Sequence, residues 1–280
     1  MSGTLYVVAT PIGNLADITH RAIQILKDVD LIACEDTRHT KKLLQHFGIN
    51  AKTVSYHEHN EESRSQELIA QLTDGRNVAV VSDAGTPTIS DPGFRLVNAA
   101  LDHEIQVVPI PGPSALITAL TVSGLPTDEF FFAGFLPSRP SARQTRLREL
   151  SHIPGTLIFY ESPHRLAASL KDAREVLGER HAVVARELTK LHEEIRRGSL
   201  SELATHYAKN ENPRGEFVVL IDRTVLDKNS AISTRSIDSL VSDFEEQGLD
   251  HRAALKKAAR ELGMSRAEAY RQLLAERARS

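Results

Sequence analysis

NVAVVSDAGTPTISDPGF, residues 77–94, and IQVVPIPGPSA, residues 105–115, decide how this chain is read. Each carries a β-branched apolar run, Val78–Val81 and Ile105–Ile110, that empties into a loop dense in Gly, Pro, Ser, Thr and Asp. Parallel strands deliver such loops to the carboxyl edge of an open α/β sheet, where ligands bind. Two of them on one sheet imply a cleft. Both loops are poor in Lys and Arg, so many cations do not grip the ligand. A molecule with an amino-acid end, a ribose and an adenine suits them.

Outward from this stretch, strands and helices alternate. Strands are expected at Thr4–Ala9, Leu31–Cys34 and Thr53–Tyr56, with helices opened by Asp17, over Thr40–Phe47 and over Glu61–Leu72. Gly48 and Gly75 follow the last two and suit left-handed C-terminal caps. Five strands with crossover helices give a parallel, doubly wound first domain, residues 1–110. Pro109, Pro111 and Pro113 stiffen a junction, and Pro113 suits a first helical turn. A second α/β domain, 111–223, has strands at Phe130–Phe135, Thr156–Tyr160, Ala182–Ala185 and Glu216–Ile221, with a helix started by Pro163. Thr224–Arg235 reads as a linker. A helical domain, 235–280, completes the α/β fold class. From Asp250 onward it has eight Lys/Arg against four acids. A helix ending at Gly263 and a second capped by Ser265 give it a helix-turn-helix-like shape, which serves either nucleic-acid contact or packing.

Composition narrows the classes. A net charge of −3 offers no global attraction to nucleic acid or membrane, so any basic surface is local. No apolar run is long enough to span a bilayer, and the first residues read as a strand rather than a signal peptide. The lone cysteine, Cys34, forms no intrachain disulfide, which fits a cytoplasmic protein. Dinucleotide, P-loop, zinc-protease and hydrolase-elbow signatures are absent.

Chemistry-bearing residues cluster at strand exits. Glu35, Asp36, Arg38 and His39 follow the second strand, and His57 and His59 the third. Asp36 or Thr37 serves equally as a helix cap, and the two histidines lack further ligands for a metal. Asp83 leaves a buried strand, and Gly85 permits backbone turns closed to other residues. Ser114 and Ala115 bring free N–H groups to a helix start. Glu161, His164, Arg165, Arg186, Glu187 and Lys190 occupy strand exits of the second domain.

ATPIGNLADIT (9–19), CEDTR (34–38), SDAGTPTISDPG (82–93), PGPSA (111–115) and FYESPHR (159–165) together resemble the tetrapyrrole methylase superfamily, the class III S-adenosylmethionine-dependent methyltransferases. The resemblance covers residues 3 to about 223. It implies two α/β domains with the cofactor cleft between them and a homodimer; no metal is expected, because the chain marks no convincing ligand set and a sulfonium methyl is already activated. By that match Asp83, Gly85, Thr86, Ser114 and Ala115 line the methionine and ribose of S-adenosylmethionine, and Tyr160 and Gly215 the adenine side. The porphyrin-modifying branch carries G-x-G-x-G-D in its first loop and G-D-P after the fourth strand. Here these are TPIGNLAD and SDAGTP. The motif order is similar to the branch that methylates the ribose 2′-oxygen of a decoding-centre cytidine in 16S ribosomal RNA, and a basic tail agrees with such a substrate. The resemblance leaves the proton acceptor open among Asp36, Glu35, His57, Glu161 and Glu187, with Asp36 preferred. Arg38, His57, Arg186, Lys190, Lys256 and Lys257 are the expected RNA contacts. A methylase of tetrapyrroles or another small molecule, and a non-catalytic nucleic-acid-binding regulator, are the alternatives.

Overall fold

The computed structural model describes residues 2–209, 214–223, 237–261 and 264–277. Residues Met1–Arg223 form one compact unit and Thr224–Ser280 a second. The expected linker and the helix end at Gly263 lie outside the described residues.

The first half of the larger unit is a parallel sheet. Its strands β1 (Thr4–Val8), β2 (Leu31–Cys34), β3 (Thr53–Ser55), β4 (Val78–Val81) and β5 (Gln106–Ile110) stand in the order β3-β2-β4-β1-β5. All four residues of β4 are buried, as a continuous apolar run covered on both faces requires. Helices α1 (His20–Asp28), α2 (Thr37–His46), α3 (Glu61–Thr73) and α4 (Phe94–Asp102) fill the crossovers. Two cores flank the sheet, one around Leu68, Leu72 and Leu96, the other around Leu26, Ile32 and Leu44. Cys34 belongs to the second, and its thiol is fully buried; that burial pushes its pKa up.

Two helix starts differ from expectation. Asn14 caps a short 3-10 turn over Leu15–Asp17, and Thr19 caps α1, so Asp17 ends a turn instead of opening a helix. The α2 helix begins three residues before Thr40, because the Asp36 side chain accepts from Arg38 N at 2.8 Å and fixes the first turn.

The second half opens with α5 (Ala115–Ser123) and builds a mixed sheet from β6 (Phe130–Phe135), β7 (Thr156–Glu161), β8 (His181–Arg186), β9 (Glu194–Ser199) and β10 (Phe217–Ile221), in the order β6-β7-β10-β8-β9. β6 and β7 are parallel, while β10 runs antiparallel to β7 and β8. The edge strand β9, EIRRGS, was not expected. Its charged residues carry no apolar alternation, as suits a sheet edge that resists pairing with other chains. Helices α6 (Pro140–Leu150), α7 (Leu166–Leu177) and α8 (Leu200–Ala208) pack on one face. Pro163 does not start α7. It sits in a turn closed by Leu166 N donating to Ser162 O, and the helix follows at Leu166.

The smaller unit holds α9 (Ile237–Glu246), α10 (His251–Glu261) and α11 (Arg266–Arg277) around Ile237, Val241, Phe244, Ala258 and Leu273. Ser265 and Glu268 cap α11 reciprocally: Glu268 N donates to Ser265 Oγ and Ser265 N to the Glu268 carboxylate. The Lys257 ammonium lies 4.2 Å from the Phe244 ring centroid.

Beneath the second sheet, the Arg143 guanidinium is buried with the Asp172 carboxylate, its Nε 2.6 Å from Asp172 Oδ2. Removing one partner leaves a lone buried charge. Arg143→Ala should lose about 3–5 kcal/mol in urea-induced unfolding, and replacing both by Met and Leu should cost much less.

Candidate functional site

A cavity of about 320 Å³ opens between loops of the two sheets within the larger unit. The foundation is a reciprocal backbone pair. Thr10 N donates to Gly85 O at 2.8 Å, and Gly85 N donates to Thr10 O at 3.0 Å. This joins the loop after β1 to the loop after β4. Gly85 makes the pair with φ +87°, and a Cβ there would meet Ile12 Cγ2 at 3.3 Å, so only glycine fits without strain. The same loops are sewn to their neighbours. Thr86 Oγ1 donates to Pro113 O at 3.2 Å, Asp36 N donates to Asp83 Oδ1 at 3.0 Å, and Gly93 N donates to Glu61 Oε1 at 3.2 Å. Between those ties, Thr88 and Ser90 adopt φ of 74° and 64°. Such conformations are costly for non-glycine residues and persist only where the surroundings over-determine them.

The opposite wall is held by charge. Lys190 Nζ donates to Glu187 Oε1 and to Glu216 Oε2, each at 2.9 Å, and Glu216 N donates to Glu187 Oε1 at 3.0 Å. Burial works against ionisation of both groups, but each partner's charge and hydrogen bonds prevail: the Glu187 pKa is lowered and the Lys190 pKa raised. Gly215 stands at φ +108°, where a Cβ would come within 2.6 Å of Glu187 Cγ.

Of the residues expected at a cofactor site, Gly85, Thr86, Ser114, Ala115, Tyr160 and Gly215 line this cavity. Asp83 does not. Its carboxylate faces the neighbouring loop, where it fixes the start of the CEDTR turn. Tyr160 packs edge-on against Phe132 and Phe135 at 4.9 and 5.7 Å between centroids, and burial pushes its hydroxyl up to about 12.

The expected catalytic pair separates. Asp36 caps α2 and holds the Arg38 guanidinium through two oxygens, at 3.1 and 2.8 Å. The Arg38 side chain and backbone hydrogen bonds bring the Asp36 carboxyl down to about 2, which makes it a feeble proton acceptor. Both Asp36 oxygens are thus engaged, in the cap and in the ion pair. Glu35 is the reverse case, raised first by burial and then by the charge of Asp83. His57 meets His59 edge-on, with ring centroids 5.9 Å apart, and its Nδ1 is buried without a protein partner. Arg186 donates to Arg214 O at 2.9 Å and lies near Glu194. Lys190 is engaged as above, which leaves Arg38, Arg186 and Lys190 tied to protein groups.

Sequence reasoning passed over Asp91. It lines the cavity, and its carboxyl is raised to about 7, first by burial and then by the charges of Glu35 and Asp83. The signal lay in SDAGTPTISDPG, whose second aspartate follows the two positive-φ residues. A carboxyl held this high destabilises the folded state when ionised. The cost is absent only well below the unfolded value of 3.8, where folded and unfolded chains are both protonated, grows as pH rises from there, and is complete above about 7. Asp91→Asn should therefore raise the unfolding temperature at pH 8, with a gain over wild type that shrinks as pH falls from 7 toward 4.

Among the described residues no group of three or more potential ligands could hold a metal ion, and no helix is long and apolar enough to cross a membrane.

Comparison with known proteins agrees with this architecture. The family model of tetrapyrrole (corrin/porphyrin) methylases matches residues 4–204. A protein of Mesorhizobium japonicum named ribosomal RNA small subunit methyltransferase I is 51% identical over 271 residues, covering 96% of this chain and 91% of that protein. Its namesake in Escherichia coli O157:H7 is 54% identical over 222 residues, 79% of this chain and 78% of that protein. Among solved structures, the uroporphyrin-III C-methyltransferase of Thermus thermophilus complexed with S-adenyl homocysteine shares the fold at TM-score 0.54 and 20% identity, over 78% of this chain and 97% of that one. The chain belongs to the tetrapyrrole methylase family, in the group of the ribosomal RNA small subunit methyltransferases I.

Proposed function

We propose that this chain methylates the ribose 2′-oxygen of a cytidine in the decoding centre of small-subunit ribosomal RNA. It is a methyltransferase of small-subunit ribosomal RNA that uses S-adenosylmethionine. The carrying observation is the 51% identity that runs through nearly the whole chain, tail included, together with a cavity suited to this donor.

The fit rests on the walls. Ser114, the N-cap of α5, and Ala115, its first residue, line the cavity, and Ser114 makes no side-chain cap of its own. The free N–H groups of a helix start suit a carboxylate. Ala185, Leu188 and Phe217 offer an apolar surface to an adenine, and the Gly215 backbone comes close without a side chain. Gly85 and Thr86 would border the methionine and ribose. The donor supplies a methyl already activated on sulfur. The protein's part is to hold the hydroxyl in line with it and to take the proton, and positioning alone is worth several kcal/mol.

RNA contact falls to surfaces that remain charged. Lys256, Lys257 and Arg260 are exposed on α10, and the tail's surplus of four positive charges stands out against a negative chain. The substrate is the small subunit or a precursor of it, and the enzyme acts as a homodimer in the cytoplasm.

Labelled methyl donor incubated with small subunits from a strain lacking this gene should yield 2′-O-methylcytidine on nuclease digestion. Labelling of a porphyrin precursor instead would favour the small-molecule reading. By calorimetry, Gly85→Val should abolish donor binding, since a β-branched side chain fits neither φ +87° nor the 3.3 Å space. Lys256→Ala with Arg260→Ala should weaken RNA binding and flatten its dependence on salt, because fewer counterions are released. Lys257 is left in place there because its ammonium also packs on Phe244.

A further inference from the structure

β6 and β7 run parallel and end side by side, with Phe135 opposite Tyr160, and both residues line the donor cavity. The segment that leaves β6, Leu136 to Arg139, therefore starts at the cavity rim. A Cβ on Gly134 would stand 3.5 Å from Ser90 Oγ, so this strand end also meets the loop after β4. Two arginines fix the segment from beneath. Arg165 Nη2 donates to Leu136 O at 2.7 Å, and Arg143 Nη1 donates to Ser138 O at 3.2 Å. Each is itself held by a carboxylate, Arg165 by Glu161 at 2.9 Å and Arg143 by Asp172 at 2.6 Å. Pro137 and Pro140 restrict the backbone between and after these ties. Burying guanidinium groups is costly unless their N–H groups are well used, and here part of that use is to hold carbonyls of a rim segment.

What the segment presents is Arg139. It is the exposed N-cap residue of α6 and makes no side-chain cap. Its guanidinium has no hydrogen-bond or ion-pair partner among the described residues. Its surroundings give that freedom weight. Asp91, Glu161 and Glu216 line the cavity, and cations beside two of them are consumed, Arg165 on Glu161 and Lys190 on Glu187 and Glu216. A strand of RNA that brings a nucleotide to the donor carries its phosphates toward these acids and is repelled by them unless a cation at the rim offsets the field.

We propose that Arg139 grips a phosphate of the small-subunit RNA at the mouth of the donor cavity, beside the nucleotide to be methylated. The proposal rests on the RNA-methylation reading above. A planar guanidinium meets a phosphate with two parallel N–H donors, so it fixes direction as well as distance. Held on a tied segment, Arg139 sets how the strand enters the cavity. It contributes binding that is equal before and during methyl transfer, and the reaction itself is left to other groups.

The test is steady-state methylation of small subunits at several salt concentrations, with donor affinity measured by calorimetry on the same preparations. Arg139→Ala should bind donor as wild type does and raise KM for small subunits roughly 10-fold, with kcat changed by less than about 3-fold. Its RNA affinity should depend on salt with a slope smaller by about one counterion. Arg139→Lys should recover part of the loss, because charge remains without the planar fork. Lys171→Ala removes an exposed cation on α7 and should leave KM unchanged. Near-normal KM in Arg139→Ala overturns the proposal. So does a loss of donor affinity that accounts for the change, or an equal rise of KM in Lys171→Ala, which would make the effect one of net charge. If wild type itself puts no methyl group on small-subunit RNA, the RNA-methylation reading fails instead.

Discussion

The two hydrogen bonds between Thr10 and Gly85 hold the site together. Adjacent parallel strands end in loops that have no ladder to keep them in register, and each loop left alone would wander. The reciprocal pair carries the contact between the β1 and β4 chains past the ends of both strands, to Thr10 and Gly85, in antiparallel sense. Thr10 Oγ1 reaches Ser82 O at 3.1 Å and Ser82 Oγ reaches Gly85 O at 3.2 Å, so the corner is satisfied on all sides while buried. Every further tie, to Pro113, to Asp36 and to Glu61, hangs from a loop whose position this corner sets. The strain at Thr88 and Ser90 is tolerable because its two ends cannot relax.

The two cavity walls use different physics. The first-half wall is held by a backbone pair and by side-chain oxygens of Thr86, Asp83 and Glu61 bonded to backbone groups. The second-half wall is a charged clasp, with Lys190 between Glu187 and Glu216 and its stem so close to the first loop that a Cβ at Gly13 would stand 2.4 Å from Lys190 Cγ. The clasp therefore reaches the first half's loop through packing. Lys190 is spent on protein structure, and a phosphate would have to compete with two carboxylates for it.

Much of this was legible in the sequence. Parallel strands feeding Gly- and Pro-rich loops marked the first sheet, and Gly85 and Ser114, singled out for backbone conformation and a helix start, both line the cavity. What stayed hidden depended on partners far apart in the chain. Asp36 and Asp83 have the same residue type and the same strand-exit position, yet one is exposed against its own arginine and the other receives a backbone N–H 47 residues away. Asp91 was not singled out, since its character comes from burial and from two distant acids. The β9 strand escaped because an edge strand needs no alternation. Pro163 misled because proline at a turn and proline at a first helical turn look alike locally.

Cys34 ends β2 one residue before Glu35 and is sealed inside the first sheet's core, its Sγ 3.5 Å from Val54 O. It is the sole thiol in the chain. With its pKa raised and no solvent access, it reacts only when the sheet parts. The molecule thus carries an internal clock for opening of the strand that bears CEDTR. The rate at which an alkylating reagent consumes that thiol measures how often the first sheet breathes, without any label being introduced.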